Sequence, residues 1–271
     1  MREIPLTLTI AGSDSSGGAG MQADLKTFAE YGTYGLVALT AIVTMNPDNN
    51  WSHDVTPIDN ELIREQLKTI LAGKRIKAMK TGMLASSETI ALVKEYIEKY
   101  NFENVVIDPV MVCKGENTVL NPDNANALRD LLLPLATVIT PNLFEAGVLS
   151  GMGQLKTKND MEVAAKKIIE LGAKNVVIKG GKSFSDTEAI DLFYDGTNFN
   201  WMTIPKVNHS YNHGAGCTFA AAITAGLANN LSVSEAVVSA KEFVTSAITH
   251  GFAFNEFIGP VFHSAKRICS K

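Results

Sequence analysis

Short apolar runs alternate with segments of helical periodicity along most of this sequence. The apolar runs lie at 6–11, 34–44, 76–81, 104–107, 137–140 and 176–178, and helical periodicity is found at 21–31, 58–71, 86–100, 121–133, 143–149 and 158–171. Strands that alternate with helices are typical of a mainly parallel sheet with helices on both of its faces. The sequence therefore predicts an α/β fold in three layers, helix–sheet–helix.

The last third of the sequence departs from this alternation. Residues 189–194 and 199–204 read as two strands around an Asp195-Gly196 turn, which predicts an antiparallel hairpin at one edge of the sheet. Turn-forming residues cluster at 45–50, and helices at 217–229 and 232–250 complete the predicted fold. Because no linker, internal repeat or low-complexity tract interrupts the sequence, we expect a single domain over 1–271.

The composition argues against several classes of protein. A net charge of -4 and scattered lysines disfavour a nucleic-acid partner, and the sequence has neither a polybasic run nor an apolar run of membrane-spanning length. The three cysteines, Cys113, Cys217 and Cys269, include no C-x-x-C pair, which disfavours a disulfide framework or a zinc site and favours a reducing compartment. We therefore expect a cytoplasmic protein that binds neither nucleic acid nor membrane.

A glycine–cysteine stretch, Asn212–Phe219, precedes an alanine-rich helix. Gly214 and Gly216 allow a turn with bared N–H groups, and these groups together with the positive end of a helix dipole bind anions. The same geometry lowers the pKa of a thiol, so we expect Cys217 to favour the thiolate. Two interpretations stay open: an anion hole that holds a nucleophile or base, or a glycine-rich turn that only caps a core helix.

Polar residues follow three of the apolar runs. Asp108, Asn142 and Lys179 each stand directly after a predicted strand, and Glu145 lies close to the second of them. Ligands of open α/β sheets bind outside the carboxyl ends of the strands, where carboxylates suit Mg²⁺ and lysine suits phosphate. Polar residues also end strands and cap helices for purely structural reasons. Their recurrence at equivalent places favours a nucleotide site.

Six ordered motifs together make the sequence resemble the ribokinase-like superfamily, in the branch of hydroxymethylpyrimidine kinases and their pyridoxal kinase relatives. They are Ala11-Gly12-Ser13-Asp14-Ser15-Ser16-Gly17-Gly18-Ala19-Gly20 with 22–27, Lys80-Thr81-Gly82-Met83-Leu84, Val106-Ile107-Asp108-Pro109-Val110-Met111, Thr140-Pro141-Asn142-Leu143-Phe144-Glu145-Ala146, Lys179-Gly180-Gly181 and His213-Gly214-Ala215-Gly216-Cys217-Thr218. They extend over nearly the whole chain. The resemblance implies a ribokinase-like α-β-α fold and a homodimer.

The resemblance also implies an activity, the ATP-dependent phosphorylation of a hydroxymethyl group on a small heteroaromatic ring. Gly214, Ala215, Gly216 and Cys217 would surround the γ-phosphate, and a Cys217 thiolate would accept the proton of the alcohol. Most members of the superfamily have Asp as this base, whereas this branch often has Cys. ATP would be accompanied by Mg²⁺, and a need for a monovalent cation stays open.

The resemblance assigns residues to both substrates. Those on the nucleotide side are Asp108, Asn142, Glu145, Lys179, Gly180, Gly181, Gly214 and Lys241, with Asp108 and Glu145 near the metal. Those on the vitamin side are Gly12 and Asp24, which would bind the ring, and Met83 and Val110, which would form apolar walls. His53 lies on a candidate lid and reads equally well as a solvated loop histidine.

Two departures from the pyrimidine kinases narrow the expected substrate. Those enzymes would have Gln where this chain has Met45, and methionine cannot make the paired hydrogen bonds of an amide with an aminopyrimidine. The run 111–115 is similar to a flap in the pyridoxal kinases of Gram-positive bacteria. There Cys113 would add reversibly to the aldehyde of pyridoxal as a hemithioacetal; the alternative is an exposed loop cysteine without a role.

The sequence therefore predicts a kinase for pyridoxal, pyridoxine or pyridoxamine. The first alternative is a hydroxymethylpyrimidine (phosphate) kinase, or an enzyme with both activities. Two others belong to different classes: a vitamin-binding protein without catalysis, and a cysteine hydrolase with Cys217 as nucleophile. The hydrolase needs a histidine base beside the thiol, and His213 precedes the turn.

Overall fold

The computed structural model describes residues 3–111, 122–181 and 183–269. The strands are β1 (Leu6–Asp14), β2 (Tyr34–Asn46), β3 (Ser52–Pro57), β4 (Ala78–Thr81), β5 (Val105–Ile107), β6 (Val138–Ile139), β7 (Val176–Lys179), β8 (Glu188–Tyr194) and β9 (Phe199–Pro205). The helices are α1 (Gly20–Glu30), α2 (Asn60–Leu71), α3 (Ser87–Tyr100), α4 (Pro122–Ala127), α5 (Leu143–Ser150), α6 (Lys158–Glu170), α7 (Ala215–Ala228), α8 (Val233–Thr249) and α9 (Ala265–Cys269).

All of these strands belong to one sheet, in the order β3-β2-β1-β4-β5-β6-β7-β8-β9. Neighbouring strands from β2 to β7 pair in parallel, and β8 and β9 pair antiparallel at one edge. The predicted parallel sheet and its edge hairpin are thus confirmed. The parallel core aligns the carboxyl ends of six strands along one rim of the sheet, where polar side chains gather.

The opposite edge of the sheet was not predicted. β2 continues through Asn46, turns through a short 3₁₀ segment at Pro47–Asn49, and returns as the antiparallel strand β3. The left-handed backbones of Asn50 and Trp51 complete the reversal. Turn residues marked the tip correctly, but β3 gave no apolar signal because an edge strand leaves many of its side chains in water.

Most helix boundaries follow from capping residues. Asp59 caps α2 and Ser86 caps α3, each by accepting a backbone N–H of the first turn. The helix predicted at 121–133 is only partly present: α4 ends at Ala127, and a π turn and a 3₁₀ turn follow up to Leu135. Pro134 lacks the N–H that a regular helix would need there, and residue 121 lies outside the described residues.

Helix α7 is the most deeply buried helix of the site. Its residues from Thr218 to Ala228 are all buried, and Phe219 and Ile223 pack on Val106 and Val177 of the sheet. Apolar burial of this kind contributes roughly 2 kcal/mol for each large side chain. This packing therefore fixes the position of the first turn of α7 relative to the carboxyl ends of the strands. Among the described helices, none has the length and apolar character to cross a membrane.

Candidate active site

A cavity of about 750 Å³ opens at the carboxyl ends of the parallel strands. Nearly all of the residues that the sequence nominated line it: Gly12, Met45, His53, Met83, Asp108, Val110, Asn142, Glu145, Lys179, Gly180, Gly181, Gly214, Ala215, Gly216, Cys217 and Lys241. Residues more than 200 positions apart therefore share one cleft. Cys113 lies outside the described residues.

Asp24 is the exception among the described candidates, and its predicted contact with the ring is wrong for this structure. Its carboxylate is completely buried beneath the cavity, where it accepts hydrogen bonds from Thr9 Oγ1 at 2.6 Å and Lys80 Nζ at 2.9 Å. It does not belong to the cavity wall. Asp24 lies on the buried face of α1 together with Ala23, Thr27 and Phe28, and there it pairs with a buried lysine.

Lys80 is a site residue that the sequence reasoning missed. It lies on β4, its side chain is completely buried, and it lines the cavity. Burial opposes its charge, but Asp24, Cys217 and Asp108 together raise its pKa. A signal was present in the sequence, because a charged residue inside an apolar strand must find a partner. The site therefore contains a further lysine besides Lys179 and Lys241.

The end of the cavity that is expected to hold phosphate, called the phosphate end below, is built around Asp108. Its Oδ1 accepts from Lys179 Nζ at 3.2 Å and from Thr140 Oγ1 at 3.3 Å. Each of these residues stands at or just beyond the carboxyl end of a neighbouring strand, which explains why they meet. Burial opposes the charge of Lys179, while Asp108 and Glu145 raise its pKa, so the lysine stays an ammonium that can meet phosphate.

Glu145 has two functions at the start of α5. It completes a capping box with Asn142, in which the Asn142 N–H donates to Glu145 Oε2 at 2.8 Å and the Glu145 N–H donates to Asn142 Oδ1 at 2.9 Å. Burial raises the pKa of its carboxyl to about 7, against the lowering effect of Lys179. Glu145 therefore changes charge near neutral pH, within the cavity.

The carboxylates Asp108 and Glu145 were predicted to lie near a metal. Among the described residues, no group of three or more His, Cys, Asp or Glu side chains is arranged to hold a metal ion. Two carboxylates with an amide beside them fit Mg²⁺, which keeps several waters and takes phosphate oxygens as further ligands. The donor set thus fits an ion that arrives with a nucleotide, rather than a resident metal centre.

Cys217 lies in the first turn of α7 and is only partly exposed on the cavity floor. The expected low pKa of its thiol is wrong: burial, and then the negative charge of Asp108, raise it to about 12. Lys80 and the backbone N–H of Gly20 oppose this rise without cancelling it. Desolvation and a nearby carboxylate therefore outweigh the helix N-terminus, and the thiol is neutral at pH 7.

His213 does not serve Cys217 as a base. Its Nε2 lies 2.7 Å from Asp14 Oδ2 and 3.3 Å from Ser16 Oγ, so this nitrogen is occupied by the loop between β1 and α1. The geometry that a cysteine hydrolase needs is a thiol–imidazole pair, and the recorded partners of His213 do not supply it. Asp14 and His213 both line the cavity and were missed as candidates.

Lys241 lies at the far end of the cavity, on α8. It donates to Asp191 Oδ2 of β8 at 2.6 Å, and both side chains are buried. Asp191 Oδ1 also accepts the N–H of Gly181 at 3.2 Å. Lys241 therefore connects α8 with the strand and loop that follow Lys179, next to the apolar side chains of Val244 and Ile248.

The end of the cavity that is expected to hold the vitamin, called the vitamin end below, has a different lining. Met45 on β2 stands opposite His53 on β3, and both face the cavity together with Met83 and Val110. The Met83 backbone is fixed because its carbonyl accepts from Thr40 Oγ1 at 2.5 Å. The unpredicted strand β3 is thus the element that brings His53 beside Met45.

The match to known proteins is decisive at the level of the family. The model of the phosphomethylpyrimidine kinase family matches residues 14–262. The chain belongs to this family. Its fold is ribokinase-like: the structure superposes on an ADP complex of Bacillus subtilis pyridoxal kinase with a TM-score of 0.95 at 55% identity, over 98% of this chain and 100% of the other.

Other members of the family differ in how similar they are. The pyridoxine kinase of B. subtilis strain 168 is 56% identical over 96% of both chains. A Staphylococcus aureus pyridoxal kinase in complex with AMP-PCP and pyridoxal has a TM-score of 0.93 at 54% identity, over 98% of this chain and 96% of that one. The hydroxymethylpyrimidine/phosphomethylpyrimidine kinase of B. subtilis is 40% identical over 95% of this chain and 94% of its own length.

Proposed function

We propose that this protein transfers the γ-phosphate of ATP to the 5′-hydroxymethyl group of pyridoxal, pyridoxine or pyridoxamine, in the salvage of vitamin B6 to pyridoxal 5′-phosphate. The carrying observation is the contrast in identity: 56% with a pyridoxine kinase against 40% with a hydroxymethylpyrimidine kinase, each over nearly the whole chain. The cavity supports it, because Met45 offers no amide to an aminopyrimidine ring.

The phosphate end supplies the chemistry of the transfer. Backbone N–H groups at the start of α7, from Gly214 to Cys217, would stabilise the charge on the transferred group, with Lys179 and Lys80 as point charges. Mg²⁺, placed by Asp108 and Glu145 directly or through water, would supply further charge neutralisation on the phosphates. These residues hold and orient the reactants, which is most of what phosphoryl transfer requires.

Cys217 remains our candidate for the proton acceptor. Since its pKa is raised to about 12, the thiolate that can take the alcohol proton is the minor form at neutral pH. Lys80 favours that form, and its ammonium stays charged because Asp24 holds it. In this proposal the hydroxyl proton passes to the Cys217 sulfur as the oxygen bonds to phosphorus and ADP leaves.

Cys113 is proposed to add to the aldehyde of pyridoxal as a reversible hemithioacetal. This proposal rests on the sequence, since the residue is outside the described part of the structure. Only pyridoxal has the aldehyde, so Cys113→Ala should reduce kcat/KM for pyridoxal more than for pyridoxine. Equal losses for the two vitamers would remove the hemithioacetal.

The test of the proposed function is a comparison of ADP release with two acceptors, pyridoxal and the hydroxymethyl aminopyrimidine. We expect kcat/KM to favour pyridoxal by tenfold or more, which corresponds to about 1.4 kcal/mol. A tenfold preference for the pyrimidine would instead support the family's other activity. Absence of phosphoryl transfer to either acceptor, with binding retained, would indicate a vitamin-binding protein.

Three further properties belong to the same proposal. We propose a single domain, a homodimer and a cytoplasmic location, as expected from the sequence and the resemblance. Light scattering coupled to size exclusion tests the second, with a mass near twice the 29.1 kDa of the chain as the expected result. A mass equal to one chain at micromolar concentration would contradict it.

A further inference from the structure

Two loops meet at the start of α7 with no space between their backbones. Gly214 has a φ of +81°, and a Cβ built on it would lie 1.8 Å from the carbonyl oxygen of Gly18. A Cβ on Gly18 would lie 2.4 Å from the His213 ring. The loop between β1 and α1 is therefore seated directly on the residues that open the anion hole, so a shift of one loop moves the other.

A buried hydrogen bond to an ionised carboxylate connects the β1–α1 loop with the segment that precedes α7. His213 Nε2 lies 2.7 Å from Asp14 Oδ2, and the same carboxylate accepts the N–H groups of Ser16 and Ala19, each at 2.8 Å. Burial alone would raise the pKa of Asp14, but its bonds to His213 and Ser16 lower it to about 2, so it is ionised. We assign the proton to Nε2, which then donates to the carboxylate.

The β1–α1 loop held by this bond leads to the sulfur of Cys217, the proposed proton acceptor. Asp14 holds the N–H of Ala19, and the next residue, Gly20, lines the cavity together with Cys217, where its backbone N–H lowers the pKa of the thiol. On the other side, His213 directly precedes Gly214, where the anion hole begins. A continuous set of contacts thus runs from the Asp14–His213 bond to both sides of the position where the phosphoryl group is transferred.

We propose that Asp14 and His213 are a positioning pair for phosphoryl transfer, in which their hydrogen bond holds the β1–α1 loop on the start of α7 and sets the Gly20 N–H at the Cys217 sulfur. Neither side chain takes part in the chemistry. The role rests on the proposed kinase function. Since a misplacement of about 1 Å can cost on the order of 100-fold in rate, loss of the pair acts on kcat rather than on substrate binding.

The test uses His213→Ala and His213→Gln, with His263→Ala as a matched control. Gln can place an amide N–H near the position of Nε2 and donate to Asp14, so it should rescue the function of the pair. His263 is also buried beside α7, where its Nε2 lies 2.9 Å from Thr218 Oγ1, but its recorded hydrogen bond does not involve the β1–α1 loop. Its removal should lower the melting temperature and leave kcat within twofold.

For His213→Ala we expect kcat to fall about 30- to 100-fold, with KM for ATP and for the acceptor within threefold. His213→Gln should keep kcat within fivefold of wild type. An unchanged kcat in His213→Ala, or equal losses in the Ala and Gln variants, would overturn the proposal. So would a loss confined to KM, because that is the result of a weakened binding surface.

A readout independent of activity separates this proposal from the proposed function. Backbone hydrogen exchange over residues 13–20 should rise at least tenfold in His213→Ala and stay near wild type in His263→Ala; equal exchange in both would overturn the pair. If the wild-type protein phosphorylates the pyrimidine instead of pyridoxal, the ratios of variant to wild-type kcat are measured with the pyrimidine. In that case the proposed acceptor is wrong, but the proposal for Asp14 and His213 is still tested. If His213→Ala does not fold, Asp14→Asn takes its place, because it removes the negative charge of the pair. The same changes in kcat, KM and hydrogen exchange are expected for it.

Discussion

The two ends of the cavity are built on different principles. At the phosphate end, polar and charged side chains are held by ion pairs and hydrogen bonds, as between Asp108 and Lys179 at 3.2 Å and within the Asn142–Glu145 capping box. At the vitamin end, Met45, Met83 and other apolar side chains form the wall. Buried charges are costly to leave without partners, whereas an apolar wall tolerates exchange. In the proposed function, the end with paired polar groups carries out the phosphoryl transfer and the apolar end selects the acceptor.

This contrast explains how one family can serve two vitamins. A pyridine and an aminopyrimidine both present a hydroxymethyl group, so the same phosphate end can act on either. A site that hydrogen-bonds a ring group rejects rings that lack it more strongly than an apolar wall does. Substitutions at the phosphate end should therefore change turnover for all acceptors, and substitutions at the vitamin end should change their ratio.

The largest effect is expected for Cys217→Ala, which removes the proposed proton acceptor. We predict a fall in kcat of about 10²- to 10⁴-fold for pyridoxal and pyrimidine alike, since general bases contribute in this range. ATP binding, measured by calorimetry, should stay within threefold. A kcat within fivefold of wild type would exclude Cys217 as the base.

Cys217→Asp is the matched control for that variant, because it restores a base of the type found in most of the superfamily. It should recover at least tenfold of the lost rate. Because the thiol pKa is raised to about 12, the thiolate fraction of wild type grows with pH, and kcat should rise between pH 6 and 9. The Asp variant should show a flatter profile, and identical profiles would contradict the role of the thiol.

A smaller effect is expected for Met45→Gln, which introduces an amide at the vitamin end. The ratio of kcat/KM for the pyrimidine to that for pyridoxal should rise about fivefold, as one added hydrogen bond contributes about 1 kcal/mol. Met45→Leu keeps the wall apolar and should leave the ratio within twofold. If the Gln and Leu variants give the same ratio, residue 45 does not discriminate between the two rings.

The last effect concerns stability rather than turnover and is tested with Glu145→Gln. The pKa of Glu145 is raised from 4.5 to about 7 by burial, so its contribution to stability is fully present below pH 4.5 and is lost as the pH rises through 7. Gln keeps the neutral form and the capping box. At pH 8 the variant should gain up to about 3 kcal/mol relative to wild type, with little change at pH 5.

Thermal unfolding at both pH values measures this difference. Glu170→Gln, an exposed exchange at the end of α6, is the matched control and should leave the melting temperature unchanged at either pH. Equal shifts of Glu145→Gln at pH 5 and pH 8 would show that its carboxyl does not titrate in this range. Activity of Glu145→Gln is expected to fall, because the phosphate end loses a negative charge beside the proposed Mg²⁺ site.

Much of the fold and of the site was readable from local patterns. Apolar runs that end at Asp108, Asn142 and Lys179 predicted both the parallel sheet and the rim where these residues meet. Capping residues set the helix starts. The edge strand β3 was missed because exposed strands carry no apolar signature, so the placement of His53 beside Met45 could not be foreseen.

The failures at the site share one physical cause, which is burial. Asp24 was expected on the cavity wall and lies beneath it, paired with Lys80. The Cys217 thiol was expected to be acidic, but burial and Asp108 raise its pKa. A sequence shows which groups are charged but not how much water reaches them, and that quantity decides pairing and pKa.

The most direct test of the division between the two ends is a competition for limiting ATP. Pyridoxal and the hydroxymethyl aminopyrimidine are supplied together at equal concentration, and the two phosphorylated products are quantified by mass spectrometry. We predict a product ratio of at least ten to one for pyridoxal in wild type, a shift toward the pyrimidine in Met45→Gln, and an unchanged ratio in the slower Cys217→Asp. A wild-type ratio that favours the pyrimidine, or a ratio that changes with residue 217 and not with residue 45, would contradict the account.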